Sequence, residues 1–326
     1  MDKMFSSIEE QMKKLQSRGL ILDKHKARII LEMENYYNLI NGYKDLFIDH
    51  KYEGPDEKYK DGAHFDELYA LYLFDRELRN IFIKYILEIE NNMKSVLSHD
   101  FSKKYGHDNY LKIENFDTSV KKWEKKSKAQ KVGEVSELIA NLQREVSRQL
   151  SRNNPMISHH ILTYGYVPLW VLVNTLTLGT ISTFYSYLKQ KDQNDIGRIF
   201  GLKPDEMTKI LFVLTIYRNA CAHDERFYNL KALKRNMQPN MIKTNRLHKE
   251  LNVPFNGRNN PTKGKNDLFA IVIISKLILK EESFKHLCEL INLQIDELSS
   301  RINTIEIDVI LEKMGFPSTW YDISKL

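Results

Sequence analysis

Cysteine is nearly absent from this chain: Cys221 and Cys288 are the two in 326 residues. That excludes a disulfide framework, and no Cys/His cluster has the spacing of a zinc site. His159 and His160 are adjacent, diverge by about 100° on a helix, and make a poor metal pair. No metal site and no cofactor is expected. Proline and glycine are scarce as well, at 8 and 13 residues, which leaves few breaks in regular structure. The first twenty residues, MDKMFSSIEEQMKKLQSRGL, lack the apolar region of a signal peptide. They read as a short helix with Ser6 or Ser7 as N-cap, Glu9 and Glu10 in its first turn and Gly19 as its stop. Residues 167–188 are the most apolar stretch and are long enough to invite a membrane span. Asn174, Thr175, Thr177, Gly179, Thr180, Ser182 and Thr183 interrupt that run, so two buried helices hinged near Gly179 fit better. A cytoplasmic protein with no membrane partner is the expectation. No repeat of 20 to 50 residues and no low-complexity tract occurs. Strand-like alternation is confined to residues 305–309, too short to build a sheet.

What is present is helical periodicity, and 42% hydrophobic residues build the cores. Residues 23–39 open on a plausible Asp cap and carry Ala27, Ile30, Leu31 and Tyr37. Residues 65–97 hold the helical period for about eight turns through Leu68, Leu71, Leu78, Phe82, Ile86, Ile89, Met93 and Leu97. Asp75, Arg76, Arg79 and Glu90 lie among these apolar residues, and salt bridges to other helices are the favoured reading of them. In the alternative, Arg76 or Arg79 reaches an active cleft. Residues 268–279 and 284–298 predict two more helices, and Met314-Gly315-Phe316-Pro317 ends a last short one. The fold class is all-α.

The most informative stretch is Arg218-Asn219-Ala220-Cys221-Ala222-His223. Met207, Ile210, Leu211, Leu214, Tyr217 and Cys221 recur at three- and four-residue spacing before and within it, so the segment is helical, with Pro204 and Asp205 in the first turn. A permanent cation and an imidazole suit metal-free phosphodiester cleavage, which needs proton transfer near neutral pH and a fixed charge at phosphorus. Asn219 and His223 are i and i+4, so the amide is placed to hold the ring. Arg218 lies about 140° from His223 around the helix. One helix points the two groups apart, and a second copy of it would bring two pairs together. On spacing alone a structural Arg stays open, with Asp205, Asp224 or Glu225 as its partner.

Arg218-Asn219-x-x-x-His223 resembles the Arg-polar-x(3)-His signature of HEPN ribonucleases. The longer string RNACAHDERFYN resembles the motif of bacterial abortive-infection (Abi) proteins of the AbiD/AbiF type. Further blocks resemble that family in its order: Glu10-Gln11, Arg18-Gly19-Leu20, Asn35-Tyr36-Tyr37 and Gly42-Tyr43, then residues 65–79 with Ile89-Glu90. Pro168-Leu169-Trp170 and Leu178-Gly179-Thr180 with Phe184-Tyr185 follow, so the resemblance spans about residues 8–230. The chain departs from it at Asp224, where a second His is expected, and at Phe227-Tyr228, where Leu-Trp is. The resemblance implies a HEPN-type multi-helical bundle, dimerised so that two Arg/His motifs share one cleft. It implies phage defence by an endoribonuclease, or an RNA-regulated toxin, with a small noncoding RNA as a further partner. Arg218, His223 and Asn219 would be catalytic, supported by Arg226 and Asn229.

Charge is unevenly placed. Residues 231–266 hold nine Lys/Arg (Lys231, Lys234, Arg235, Lys243, Arg246, Lys249, Arg258, Lys263 and Lys265) against Glu250, a net +8 that leaves −2 for the rest. Pro239, Pro254, Gly257, Pro261 and Gly264 make that segment irregular. A second cluster carries Lys121, Lys122, Trp123, Lys125 and Lys126, and Arg144, Arg148 and Arg152 follow as one helical stripe. Together these predict a phosphate-binding track for RNA, with Trp123 and the Asn-rich stretch at 252–260 available to unpaired bases. The expected organisation is an Abi-like helical region over 1–230 with a Lys-rich insert at about 113–155, a basic connection over 231–266 and a C-terminal helical region over 267–326. A catalytically silent RNA-binding partner is the competing reading. DNA-binding regulation is weaker, because no compact helix-turn-helix pattern accompanies a basic recognition helix.

Overall fold

The computed structural model describes residues 5–120, 125–233, 239 and 241–326. Among them the regular structure is helical, and β-bridges occur only singly. Helices α1 (Ile8–Ser17) and α2 (Lys24–Met33), packed on each other, precede a 41-residue helix, α3 (Phe65–Tyr105). Next come α4 (Lys128–Ser151), α5 (Pro155–Tyr164), α6 (Leu169–Leu172), α7 (Leu178–Tyr187) and α8 (Gln190–Ile199). The motif helix is α9 (Pro204–Ala222), and α10 (Arg246–Glu250) is a single turn inside the basic segment. Helices α11 (Leu268–Ile278), α12 (Glu281–Arg301) and α13 (Ile307–Met314) complete the set. The all-α expectation holds.

Local chemistry sets the boundaries. Ser7 caps α1 in a capping box with Glu10. The periodicity over 23–39 does not run as one helix, because Glu34 leaves it in an extended conformation to reach Arg76 (2.6 Å) and Tyr72 (2.8 Å). The Asn35 carboxamide then accepts from the Tyr37 and Asn38 N–H groups and starts a separate π-helical turn, Tyr37–Asn41. The break in the apolar run falls at Leu176 and Thr177, not at Gly179, because the Thr177 hydroxyl caps α7. The alternation at 305–309 gives way to helix from Ile307.

Helix α3 is the axis of the molecule. It packs against α6, α7, α8, α9, α11 and α12, and a single cluster of buried side chains runs from Met12 to Ile323. Surrounded in this way, its charged residues lose water and need protein partners. Buried Glu67 accepts from the Asn303 and Thr304 N–H groups (3.0 and 2.8 Å) and from the Thr304 hydroxyl (2.9 Å), which fixes the turn between α12 and α13. Lys104 pairs with Asp100, Asp192 and Asp195, tying α8 to the far end of α3.

The C-terminal helices close on one glycine. Gly315 ends α13 in the left-handed region at φ +80°, and a Cβ there would lie 2.2 Å from Asp267 Cγ. Asp267 caps α11 and accepts from Gly264 N–H, so it has little room to move. Gly315→Ala is therefore expected to destabilise the fold by about 1–3 kcal/mol, from backbone strain alone before the clash is added. Urea denaturation checks this, and an unchanged midpoint would contradict the packing described.

Candidate active site

Helix α9 buries Met207, Ile210, Leu211, Leu214 and Tyr217 against α3, α7 and α11. That apolar face fixes where its C-terminal turn emerges. Ala222 is the last helical residue, and His223 is the C-cap at φ −108°, its N–H donating to Asn219 C=O at 3.0 Å. Asp224 then turns the chain sharply with φ +54°, a conformation that Asp tolerates better than most residues. Because His223 already leaves the helix, its ring does not meet the Asn219 amide. The two are joined through the backbone, and both side chains are exposed. The expectation that Asn219 holds the imidazole is corrected accordingly.

Asp75 of α3 anchors the turn that follows. Its carboxylate is fully buried and receives four donors: Tyr43 Oη–H (2.5 Å), Arg79 Nη1 (2.8 Å), Phe227 N–H (2.9 Å) and Tyr228 N–H (2.5 Å). Burial pushes the Asp75 carboxyl pKa up, and these donors, which favour the charged form, oppose the rise. Arg79 also donates to Glu225 C=O at 3.0 Å and pairs with Asp224. Asp224, where the family resemblance expects a second His, thus neutralises a buried guanidinium. Phe227 and Tyr228, the other departure, are buried against Phe82, Tyr217 and Tyr43.

Arg218 takes a different direction. Its side chain is 29% exposed, and its Nε lies 3.5 Å from Oε2 of buried Glu90, an ion pair without good hydrogen-bond geometry. Glu90 also pairs with Lys94 at 2.7 Å. None of the acids named from the sequence, Asp205, Asp224 or Glu225, holds Arg218. Salt bridging therefore accounts for Asp75, Arg76, Arg79 and Glu90. Arg79 is buried behind the turn, and Arg76 pairs with Glu34. Cys221 is no nucleophile at neutral pH, since burial pushes its thiol up to about 12.

A cleft of about 430 Å³ opens beside His223. Residues 223–226 form one wall, and Tyr37, Asn38, Asn41, Gly42 and Tyr43 form the other, with Tyr72 at the base. Arg218 is not among its lining residues. Arg226 crosses the rim and donates to Gly42 C=O at 2.7 Å, and Asn229 follows, half-buried and outside the cleft. The motif string marked His223 but not the opposite wall, whose residues become neighbours through Asp75 and Tyr43 and through the Arg226–Gly42 bond.

The basic residues divide in two. Lys121, Lys122, Trp123, Lys234 and Arg235 lie outside the described residues. Lys125 is exposed before α4, and Lys126 pairs with Glu134. Arg144 pairs with Glu137 at 2.6 Å, Arg148 pairs with Glu145, and Arg152 caps α4. In the basic segment Lys231 sits 3.6 Å from Asp267, Lys243 pairs with Asp205 and Lys263 with Glu312. Lys265 is buried, and burial lowers its pKa to about 8. Arg246, Lys249 and Arg258 remain exposed. Among the described residues no group of three or more His, Cys, Asp and Glu could hold a metal ion, and no helix is long and apolar enough to cross a membrane.

A family model described as Abi-like protein matches residues 29–229, well over half of the chain. The chain belongs to the Abi-like family. The match begins within α2 and ends just past the Asp75-anchored turn, so both walls of the cleft fall inside this Abi-like region. No curated protein and no solved structure matches the chain.

Removing the Asp75 carboxylate would leave the Tyr43 hydroxyl and two N–H groups buried without an acceptor, and would take from Arg79 its buried counter-charge. Asp75→Ala is expected to cost about 3–5 kcal/mol of stability, the range for breaking a buried ion pair by deleting one partner. Chemical denaturation measures it. A loss below about 1 kcal/mol, the value of one ordinary hydrogen bond, would mean that the turn after His223 is held by something else.

Proposed function

We propose that this Abi-like protein is a metal-independent endoribonuclease of HEPN type that acts in abortive infection, as a phage-defence enzyme or RNA-regulated toxin. The observation that carries this reading is the divergence of the motif. His223 stands exposed in a cleft, while Arg218, five residues earlier, leans on Glu90 and does not line that cleft. A homodimer with its two-fold axis near the C-terminal end of α9 would set two His223/Arg218 pairs around one RNA strand. His223 of one copy takes the proton from a ribose 2′-OH, and the oxygen attacks the adjacent phosphorus. His223 of the second copy protonates the departing 5′-oxygen. The Arg218 guanidinium balances the negative charge that grows on the phosphoryl oxygens. The products are 2′,3′-cyclic phosphate and 5′-OH ends, and DNA, which has no 2′-OH, is not cut.

Arg218→Ala and His223→Ala are each expected to lower RNA cleavage by at least about a hundred-fold, the usual scale for a general acid–base group, with unchanged circular dichroism. Cleavage persists in EDTA. A fully active His223→Ala protein, or complete inhibition by EDTA, overturns the mechanism. Binding of labelled RNA with no cleavage by any preparation would instead favour a silent RNA-binding partner of a small noncoding RNA.

The exposed cations supply the phosphate contacts in this reading, with Arg246, Lys249 and Arg258 in the basic segment and the Arg144/Arg148/Arg152 stripe as the second element. Changing Arg246, Lys249 and Arg258 together to Glu is expected to weaken RNA binding across sequences. It should also reduce the slope of log K against log salt by about 2, at roughly 0.7 per phosphate contact on a single strand. Filter binding over a salt series checks this. Superimposable curves would remove the basic segment from the RNA path.

A further inference from the structure

The wall of the cleft opposite His223 carries a chemistry that the ribonuclease reading does not use. Tyr37 is 66% exposed, although the π-helical turn it begins buries Leu39 and Ile40 almost completely. The i→i+5 winding of that turn sets Tyr37 and Asn41 on one face, with Asn38 beside them, and all three line the cleft. Asn35 uses its carboxamide to cap the turn. Asn38 and Asn41 are exposed, and among the described residues their carboxamides have no protein partner. Each offers two donors and an acceptor.

This wall is also held at a fixed distance from His223. The Arg226 guanidinium donates to Gly42 C=O at 2.7 Å, and the Tyr43 hydroxyl donates at 2.5 Å to Asp75, which accepts from the turn after His223 as well. An exposed aromatic ring and two open amides therefore face an exposed imidazole across about 430 Å³. An unpaired nucleobase needs a flat apolar surface for its face and paired donors and acceptors for its edge.

We infer that Tyr37, Asn38 and Asn41 form a subsite for the single-stranded RNA base that flanks the scissile phosphate. Tyr37 stacks on the base, and the two carboxamides read its hydrogen-bonding edge. The inference rests on the ribonuclease reading for the position of the phosphate, but the binding it describes does not depend on turnover.

The test uses full-length protein and a pool of unstructured RNA oligonucleotides randomised at the positions around the cut. Tyr37→Ala is expected to raise KM by about ten-fold, within the usual range for loss of one base–aromatic stack, and Tyr37→Phe restores it. Asn38→Ala with Asn41→Ala flattens the sequence preference at the nucleotide flanking the cut, a readout that general destabilisation does not move. Tyr52→Ala, a surface tyrosine outside the cleft, serves as the control. Wild-type KM and sequence preference in Tyr37→Ala and in the Asn pair would overturn the subsite and leave the ribonuclease reading standing. If the wild-type protein cuts nothing, anisotropy with a labelled unpaired ten-mer still decides: an affinity loss of about ten-fold in Tyr37→Ala supports the subsite, and equal affinity overturns it. Dissociation of a dimer by Tyr37→Ala, seen by sedimentation, would assign the ring to a protein interface and likewise overturn it.

Discussion

A carboxylate with no access to water inside a long helix must be matched by donors, or it costs several kcal/mol to bury. Asp75 is that group, and the way it is matched shapes the site. Its donors come from the opening segment (Tyr43), from its own helix (Arg79) and from the turn after the motif (Phe227 and Tyr228). Three stretches far apart in sequence therefore meet at one atom pair. Arg79 extends the junction to Asp224 and Glu225, so the residue directly after His223 is tied to α3 as well. Loosening Asp75 would weaken the hold of α3 on both walls of the cleft at once.

The same helix directs the other half of the motif. Glu90 lies four turns of α3 beyond Asp75 and draws the Nε side of Arg218 inward. An imidazole in an open cleft and a guanidinium held under a separate carboxylate suit a site shared between two copies better than a site within one. Their separation follows from helix geometry. Residues five apart cannot share a face, and His223 turns away further because it has already left the helix.

Much of this was legible in the chain. The period through Leu68, Phe82 and Leu97 marks α3, the spacing from Met207 to Cys221 marks α9, and the ordered blocks over about residues 8–230 point to the family that the match over 29–229 shows. Other features were hidden because they depend on partners remote in sequence. Glu34 breaks the second helix by reaching Arg76, which periodicity over 23–39 cannot register. The lysines of 231–266 read as one cationic run, yet Lys243 and Lys263 find Asp205 and Glu312, acids outside the run. Asp75 and Glu90 were visible as charges in an apolar helix, but their partners outside that helix, Tyr43, the Phe227 and Tyr228 N–H groups and Arg218, were not. The blocks around Tyr37 and Gly42-Tyr43 marked the family without a role, and their place beside His223 comes from the fold.

Sharing of the active site between two copies is the central proposal, and subunit mixing addresses it most directly. Wild-type and His223→Ala proteins are combined in varying ratios at constant total concentration, allowed to exchange subunits and assayed for RNA cleavage. If both imidazoles serve one cleft, mixed dimers are inactive and the rate falls with the square of the wild-type fraction. A rate that falls in simple proportion to that fraction would place a complete site in each copy and contradict the shared cleft.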